Sequence, residues 1–196
     1  MKKNLVVLTV LVLLVPGAIA NADDHIADLF VQYTYLDMKG SDDPAHTILL
    51  IGSREIRDWL SVWGSASEQT LTTLGDTTNT TGLGAGIGLH ADFSERISSF
   101  VLVGYIRSII DANYPGGDDA SDDYMIQSRL SLSVNPVMDL SLGGDIFLGP
   151  GGTSEQWGGG LAFNVSDRLV MGYEMMLGEG TVAMTLTMQT PIGGNN

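Results

Sequence analysis

A transmembrane, antiparallel, up-and-down β-barrel is the all-β fold that this sequence predicts, and three observations predict it. Segment after segment places apolar residues on one parity, as in Leu83, Ala85, Ile87, Leu89 and, with Ser128 as an exception, in Tyr124, Ile126, Leu130, Leu132, Val134. Residues at i and i+2 share a face only in a strand, so a period of two excludes helices. The opposite parity is mostly Gly, Ser, Thr and Ala, where a water-facing sheet would carry Lys, Glu, Arg and Asp. Short turns alternate with longer polar stretches, the rhythm of hairpins joined up and down.

The elements follow in order. Alternation and turn residues predict strands over 27–37, 45–53, 56–66, 82–91, 97–108, 123–134, 137–148, 157–165, 168–177 and 181–190. That is ten, most of them about the 9 to 11 residues a tilted membrane strand requires. "ADFSER", "NPVMD" and "NVSDR" are the tight turns; "SEQTLTTLGDTTNTT", "SIIDANYPGGDDASDD" and "GPGGTSEQ" read as longer loops. In "ILLIGSREIRDWLSVWG" alternation is not clean, and a turn is placed near Ser53 to Glu55; were this one irregular segment, eight strands would result. Residues 97–107 are apolar on both parities.

"GLGAGIGLHADF" carries glycine at 82, 84, 86 and 88 with apolar residues between. A barrel of eight to ten strands is just wide enough inside for side chains. Inward glycines would make room for larger neighbours while Leu83, Ile87 and Leu89 face lipid. Neither G-x-G-x-x-G nor a Walker sequence runs through them.

Residues 1–20 read as a secretory signal peptide, with Lys2 and Lys3, an apolar stretch from Leu5 to Val15, and Ala18, Ile19, Ala20 as the cleavage pattern. That stretch falls short of the roughly 20 residues of a membrane-spanning helix. Residues 21–196 are then the barrel domain. Lys2 and Lys3 leave with the leader, so of nine basic residues seven remain against 23 acidic ones, a net of −16. Such a balance argues against nucleic acid, whose phosphates are held by clustered Lys and Arg. Cysteine is absent, which excludes disulfides and thiolate metal sites. Export without a long apolar helix, followed by closure into a barrel, points to the outer membrane of a Gram-negative bacterium. Tyr33, Tyr35, Trp59, Trp63, Tyr105, Tyr124, Trp157 and Tyr173 are the expected aromatic girdles. A soluble lipocalin-like barrel that binds an apolar ligand is the alternative, with the apolar parity turned inward.

"GLGAGIGLHADFSERISSFVLVGYIR" and its echo "GGGLAFNVSDRLVMGYEMM" resemble the strand, periplasmic turn, strand units of small bacterial outer-membrane β-barrel proteins of the opacity-protein and OmpX-like kind. The resemblance implies outer-membrane lipid and lipopolysaccharide as surroundings, and barrel-insertion machinery and periplasmic chaperones as assembly partners. Such barrels usually end on an aromatic residue, whereas this chain ends "TMQTPIGGNN", so an internal signal such as "VAMTLTM" is expected.

Four charged residues fall on the small, inward parity: Arg129, Asp139, Asp145 and Glu174. With a turn at Asn135 and Pro136, Arg129 falls opposite Gly143 and diagonal to Asp145, within reach of a long side chain. The cluster is either a structural ion pair or the lining of a narrow passive pore. His25, His46 and His90 are the only histidines, and His90 with Asp92 or Ser94 is the nearest approach to hydrolytic chemistry. Asp118, Asp119, Asp122 and Asp123 form an acidic stretch without the D-x-[DN]-x-[DN]-G calcium loop. Asn79 and Asn164 match N-x-[ST], a pattern of little meaning in a bacterial barrel. The expectation is a structural or surface-interaction protein with a mostly filled lumen, without enzyme activity, cofactor or metal, and with an unknown partner for its loops.

Overall fold

The computed structural model describes residues 27–38, 43–73, 76–112, 119–166 and 169–192, so the expected leader lies outside the described residues. Ten strands run β1 (Ala27–Met38), β2 (Ala45–Arg57), β3 (Leu60–Thr73), β4 (Asp76–Ser94), β5 (Ile97–Ala112), β6 (Asp119–Asn135), β7 (Met138–Gly149), β8 (Gly152–Ser166), β9 (Leu169–Gly178) and β10 (Thr181–Ile192). Each pairs antiparallel with its sequence neighbours, and β1 pairs with β10 to close the barrel. Closure leaves no sheet edge within the bilayer, which lipid could not hydrogen-bond.

The closure is staggered. Stepping between partners from Glu55 through Ser61, Gly88, Leu102, Gln127, Asp145, Gln156, Gly178 and Thr181 returns to β1 at Met38, its last residue. Yet Arg54, the neighbour of Glu55, pairs with Ala27, the first residue of β1. This offset is the shear that tilts the strands and sets the diameter.

The apolar parity faces outward: Leu89, Leu132 and Met171 are 40%, 43% and 45% exposed at the barrel surface. Arg129 and Glu174 point into the lumen and are ion-paired there. That orientation removes the soluble lipocalin-like alternative, because water would meet a continuous apolar exterior. Asp58–Trp59, Glu95–Arg96 and Pro136–Val137 turn at the end where Ala27 of β1 pairs with Ile192 of β10. Pro150–Gly151 and Glu179–Gly180 turn at the opposite, outer end. Gly152 and Gly180, at φ 115° and 72°, close these two outer turns.

The structure corrects four expectations. The turn between β2 and β3 falls at Asp58–Trp59, not near Ser53 to Glu55. The supposed loop "SEQTLTTLGDTTNTT" is mostly the paired upper part of β3 and β4, where Thr70 bonds Asn79 and Thr72 faces Thr77; Thr, Asn and Gln ladders continue a strand without the alternation that marks the buried part. Residues 119–123 and 152–156 likewise extend β6 and β8. The lumen, finally, is not only small and polar. Phe30, Leu49, Ile51, Phe100, Leu102, Met125, Phe147 and Met176 share faces with inward partners. Hence β5 is apolar on both parities: Val101, Val103 and Tyr105 meet lipid, whereas Phe100, Leu102 and Ile106 fill the interior.

Candidate functional site

Arg129 enters the lumen from β6 opposite Gly143, as its position relative to the β6–β7 turn requires. Its Nη1 and Nη2 donate to Asp145 Oδ1 and Oδ2 at 2.6 and 3.2 Å. Its Nε and Nη2 donate to Glu174 Oε1 and Oε2 at 2.6 and 3.1 Å. Nη1 also reaches the carbonyls of Ser128 and Gly144 at 2.9 and 3.2 Å. One guanidinium thus holds two carboxylates in fork geometry, leaving a net charge of −1 on a cluster whose side chains are 12–23% exposed.

Glu174 stands on β9, with β7 and β8 between it and Arg129. The inward residues that would block the span are glycines: Gly143 on β7, Gly158 and Gly160 on β8. A Cβ on Gly143 would stand 2.7 Å from Arg129 Cδ, and one on Gly160 3.2 Å from Glu174 Cβ. Asp139 shares the lumen parity but pairs with Ser133 and Ala162 near the periplasmic turn, outside the Arg129 cluster.

The opposite wall answers the question raised by the alternating glycines. Gly82, Gly84, Gly86 and Gly88 face Ser67, Ser65, Trp63 and Ser61 on β3. Trp63 points inward, not to a girdle as the sequence predicted, and is 6% exposed. A Cβ on Gly104 would run into Trp63 Cζ2, and one on Gly86 would stand 2.7 Å from Trp63 Nε1. Two glycines on neighbouring strands therefore form the bed of one indole. Among the described residues, Trp63 Nε1 is the buried side-chain nitrogen or oxygen without a hydrogen-bond partner.

His90 does not meet Asp92 or Ser94. Its Nε2 lies 3.0 Å from Ser61 Oγ and its ring packs on Phe100 at 4.9 Å, near the periplasmic mouth. Ser94 caps its own turn by accepting from Arg96 and Ile97 N–H. His46 accepts from or donates to Tyr33 OH at 2.7 Å on the outer surface. Asn164 Nδ2 donates to Pro136 O across the turns. His25 and Asp118 lie outside the described residues. Among the described residues, no three His, Asp or Glu side chains are placed to hold a metal ion.

No family model and no curated protein match the sequence. Among solved structures, the β domain of the Bordetella autotransporter Brka superposes with a TM-score of 0.58 at 10% identity, over 86% of this chain and 99% of that one. The translocator domain of the autotransporter NalP from Neisseria meningitidis superposes at 0.50 and 7% identity, over 91% of each chain. Neisserial surface protein A reaches 0.46 at 10% identity, over 86% of this chain and 96% of that one. At such identities the likeness is one of fold. The closed barrel and its apolar exterior define a small transmembrane β-barrel protein.

Proposed function

We propose that the barrel is a structural and surface-interaction protein with a filled, non-conducting lumen. The observation that carries this reading is the tie from Arg129 to Asp145 and Glu174, which joins β6, β7 and β9 through the interior. A permeation pathway needs charges that meet passing ions; here each carboxylate spends its lone pairs on one guanidinium. Packing supports the same reading, since Trp63, Leu102, Met176 and Asp145, all inward, are 3–8% exposed. Interaction rather than catalysis is supported by the outer rim, where Asp43, Glu68, Asp119, Asp122, Glu155 and Glu179 stand exposed or partly so. The test is single-channel recording on the folded protein in planar bilayers. Silence is expected; discrete steps whose ion selectivity changes in Glu174→Gln would establish a narrow pore instead.

A further inference from the structure

The strands do not end together on the outer rim. Asp119 to Asp123 of β6 pair with Ile110 to Ile106 of β5 on one side. On the other side β6 meets β7 only from Tyr124, opposite Leu148, and β7 turns back just above this point through Gly149 and Gly152. Among the described residues, the top of β6 is therefore a strand edge with one side open. Ala120 N–H donates to Asp119 Oδ1 at 2.7 Å instead of crossing to β5. In an antiparallel ladder successive residues turn their amides to opposite sides, so Asp122 presents its amide to the open side, as does Ala120, whose N–H the exposed Asp119 carboxylate caps until a strand displaces it. Such an edge is a template for another strand.

A recess of about 430 Å³ lies at the foot of this edge, lined by Asp122, Tyr124, Leu148, Pro150 and Thr153. Tyr124 is 60% exposed, with Tyr105 edge-on beside it at 5.8 Å. Asp122 accepts from Tyr105 OH and lies 3.6 Å from Arg107. Asp119 and Asp123 leave the local sum negative despite Arg107. The chemistry that fits is a cation with an apolar stem, set between a carboxylate and an aromatic face. A second copy of the chain would bring the same aspartates against these, and like charges directly opposite repel.

We propose that the β6 edge docks an extended, lysine- or arginine-rich polypeptide segment, which adds a strand along Asp119 to Asp122 and seats one basic side chain in the Tyr124 recess. It rests on the surface-interaction reading of the barrel and supplies the class of partner.

The probe is a fluorescein-labelled Lys-Val-Lys-Val-Lys-Val-Lys peptide, read by anisotropy against the full barrel folded in non-ionic detergent. Two peptide controls are Lys-Val-Lys-Pro-Lys-Val-Lys, which keeps the charge but cannot complete a strand, and Glu-Val-Glu-Val-Glu-Val-Glu. Ala120→Pro removes an amide that β5 does not use, and heat-modifiability on gels checks that it folds. Expected are binding of the first peptide alone, and a loss of about tenfold or more with the proline peptide, with Ala120→Pro, or with Asp119→Asn and Asp122→Asn together. Should Ala120→Pro not fold, the proline peptide on the unaltered protein decides. Equal binding of both lysine peptides would mean diffuse attraction to an acidic rim and would overturn the proposal, as would no binding. Silent bilayers without peptide binding remove this site and leave the filled lumen standing; conducting bilayers with binding do the reverse.

Discussion

Arg129 Nε and Glu174 Oε1 meet at 2.6 Å although their strands, β6 and β9, are separated by two others. The contact exists because the intervening inward positions are glycine, so a guanidinium can lie along the wall rather than project to the axis. Burying three charges is unfavourable unless each finds its counterpart in good geometry. Asp145 and Glu174 together supply that, which makes the cluster a fastening between strands far apart in sequence.

Removing the cation should leave two carboxylates close together with nothing to offset their burial. Arg129→Ala is expected to lower stability by about 3–5 kcal/mol. Asp145→Asn, which keeps the shape and one acceptor, should lose less. Urea titration in lipid vesicles, followed by the shift between folded and unfolded bands, measures both. An Arg129→Ala barrel as stable as the parent would show that the cluster does not fasten the wall.

Trp63 and Gly104 should behave as one packing unit. A methyl on Gly104 strikes the indole, so Gly104→Ala is expected to destabilise by about 1–3 kcal/mol. In a Trp63→Ala background the same substitution should cost less, the approach to Ala85 O at 2.9 Å remaining, a coupling within the range found for residues in contact. Trp63→Phe should be tolerated better than most large-to-small changes, because it also removes an unsatisfied buried N–H, a feature that costs about 1–3 kcal/mol. The four unfolding midpoints complete the cycle; additivity of Gly104→Ala and Trp63→Ala would place the ring elsewhere.

Much of this was legible in the sequence. The parity of Leu89, Leu132 and Met171, and the spacing of "ADFSER", "NPVMD" and "NVSDR", identify ten strands and, for six of them, which side meets lipid. Arg129 and Asp145 could be paired as well, since a two-residue turn fixes the register of one hairpin. Glu174 could be given a face but not a partner, because its distance from Arg129 depends on shear and on glycines of a third strand. Trp63 was misplaced for a related reason. Around "REIRDWLSVW" apolar residues occupy both parities, so period two no longer tells inside from outside, and the decisive residues, Gly86 and Gly104, lie on β4 and β5. The upper halves of β3 and β4 were missed because above the bilayer neither face is apolar, and Thr, Asn and Gln write a strand that looks like a loop.

The lipid-facing assignment of single residues can be checked by charge. Leu142 is 68% exposed on the outer wall of β7, and Leu142→Arg is expected to destabilise by about 2–4 kcal/mol if it lies near the bilayer midplane. Thr185→Arg, on the lumen face, should instead fail through crowding, and a small uncharged lumen change such as Ser141→Ala should be mild. A benign Leu142→Arg would mean that this wall is not in hydrocarbon.

Fluorescence of the three tryptophans separates inside from outside without altering the charge of the barrel. Trp157 is 55% exposed across Gly144 on the outer wall and Trp59 is 54% exposed at a periplasmic turn, whereas Trp63 lies over Gly86 and Gly104 within the lumen. Variants that keep one tryptophan and carry Phe at the other two positions would be folded into vesicles of phospholipid brominated on the acyl chain. Bromine quenches only at near contact. Strong quenching is expected for Trp157, deepest with bromine near mid-chain, weaker quenching for Trp59, and little for Trp63. The strand wall stands between Trp63 and the acyl chains, so a strongly quenched Trp63 beside an unquenched Trp157 would turn the barrel inside out.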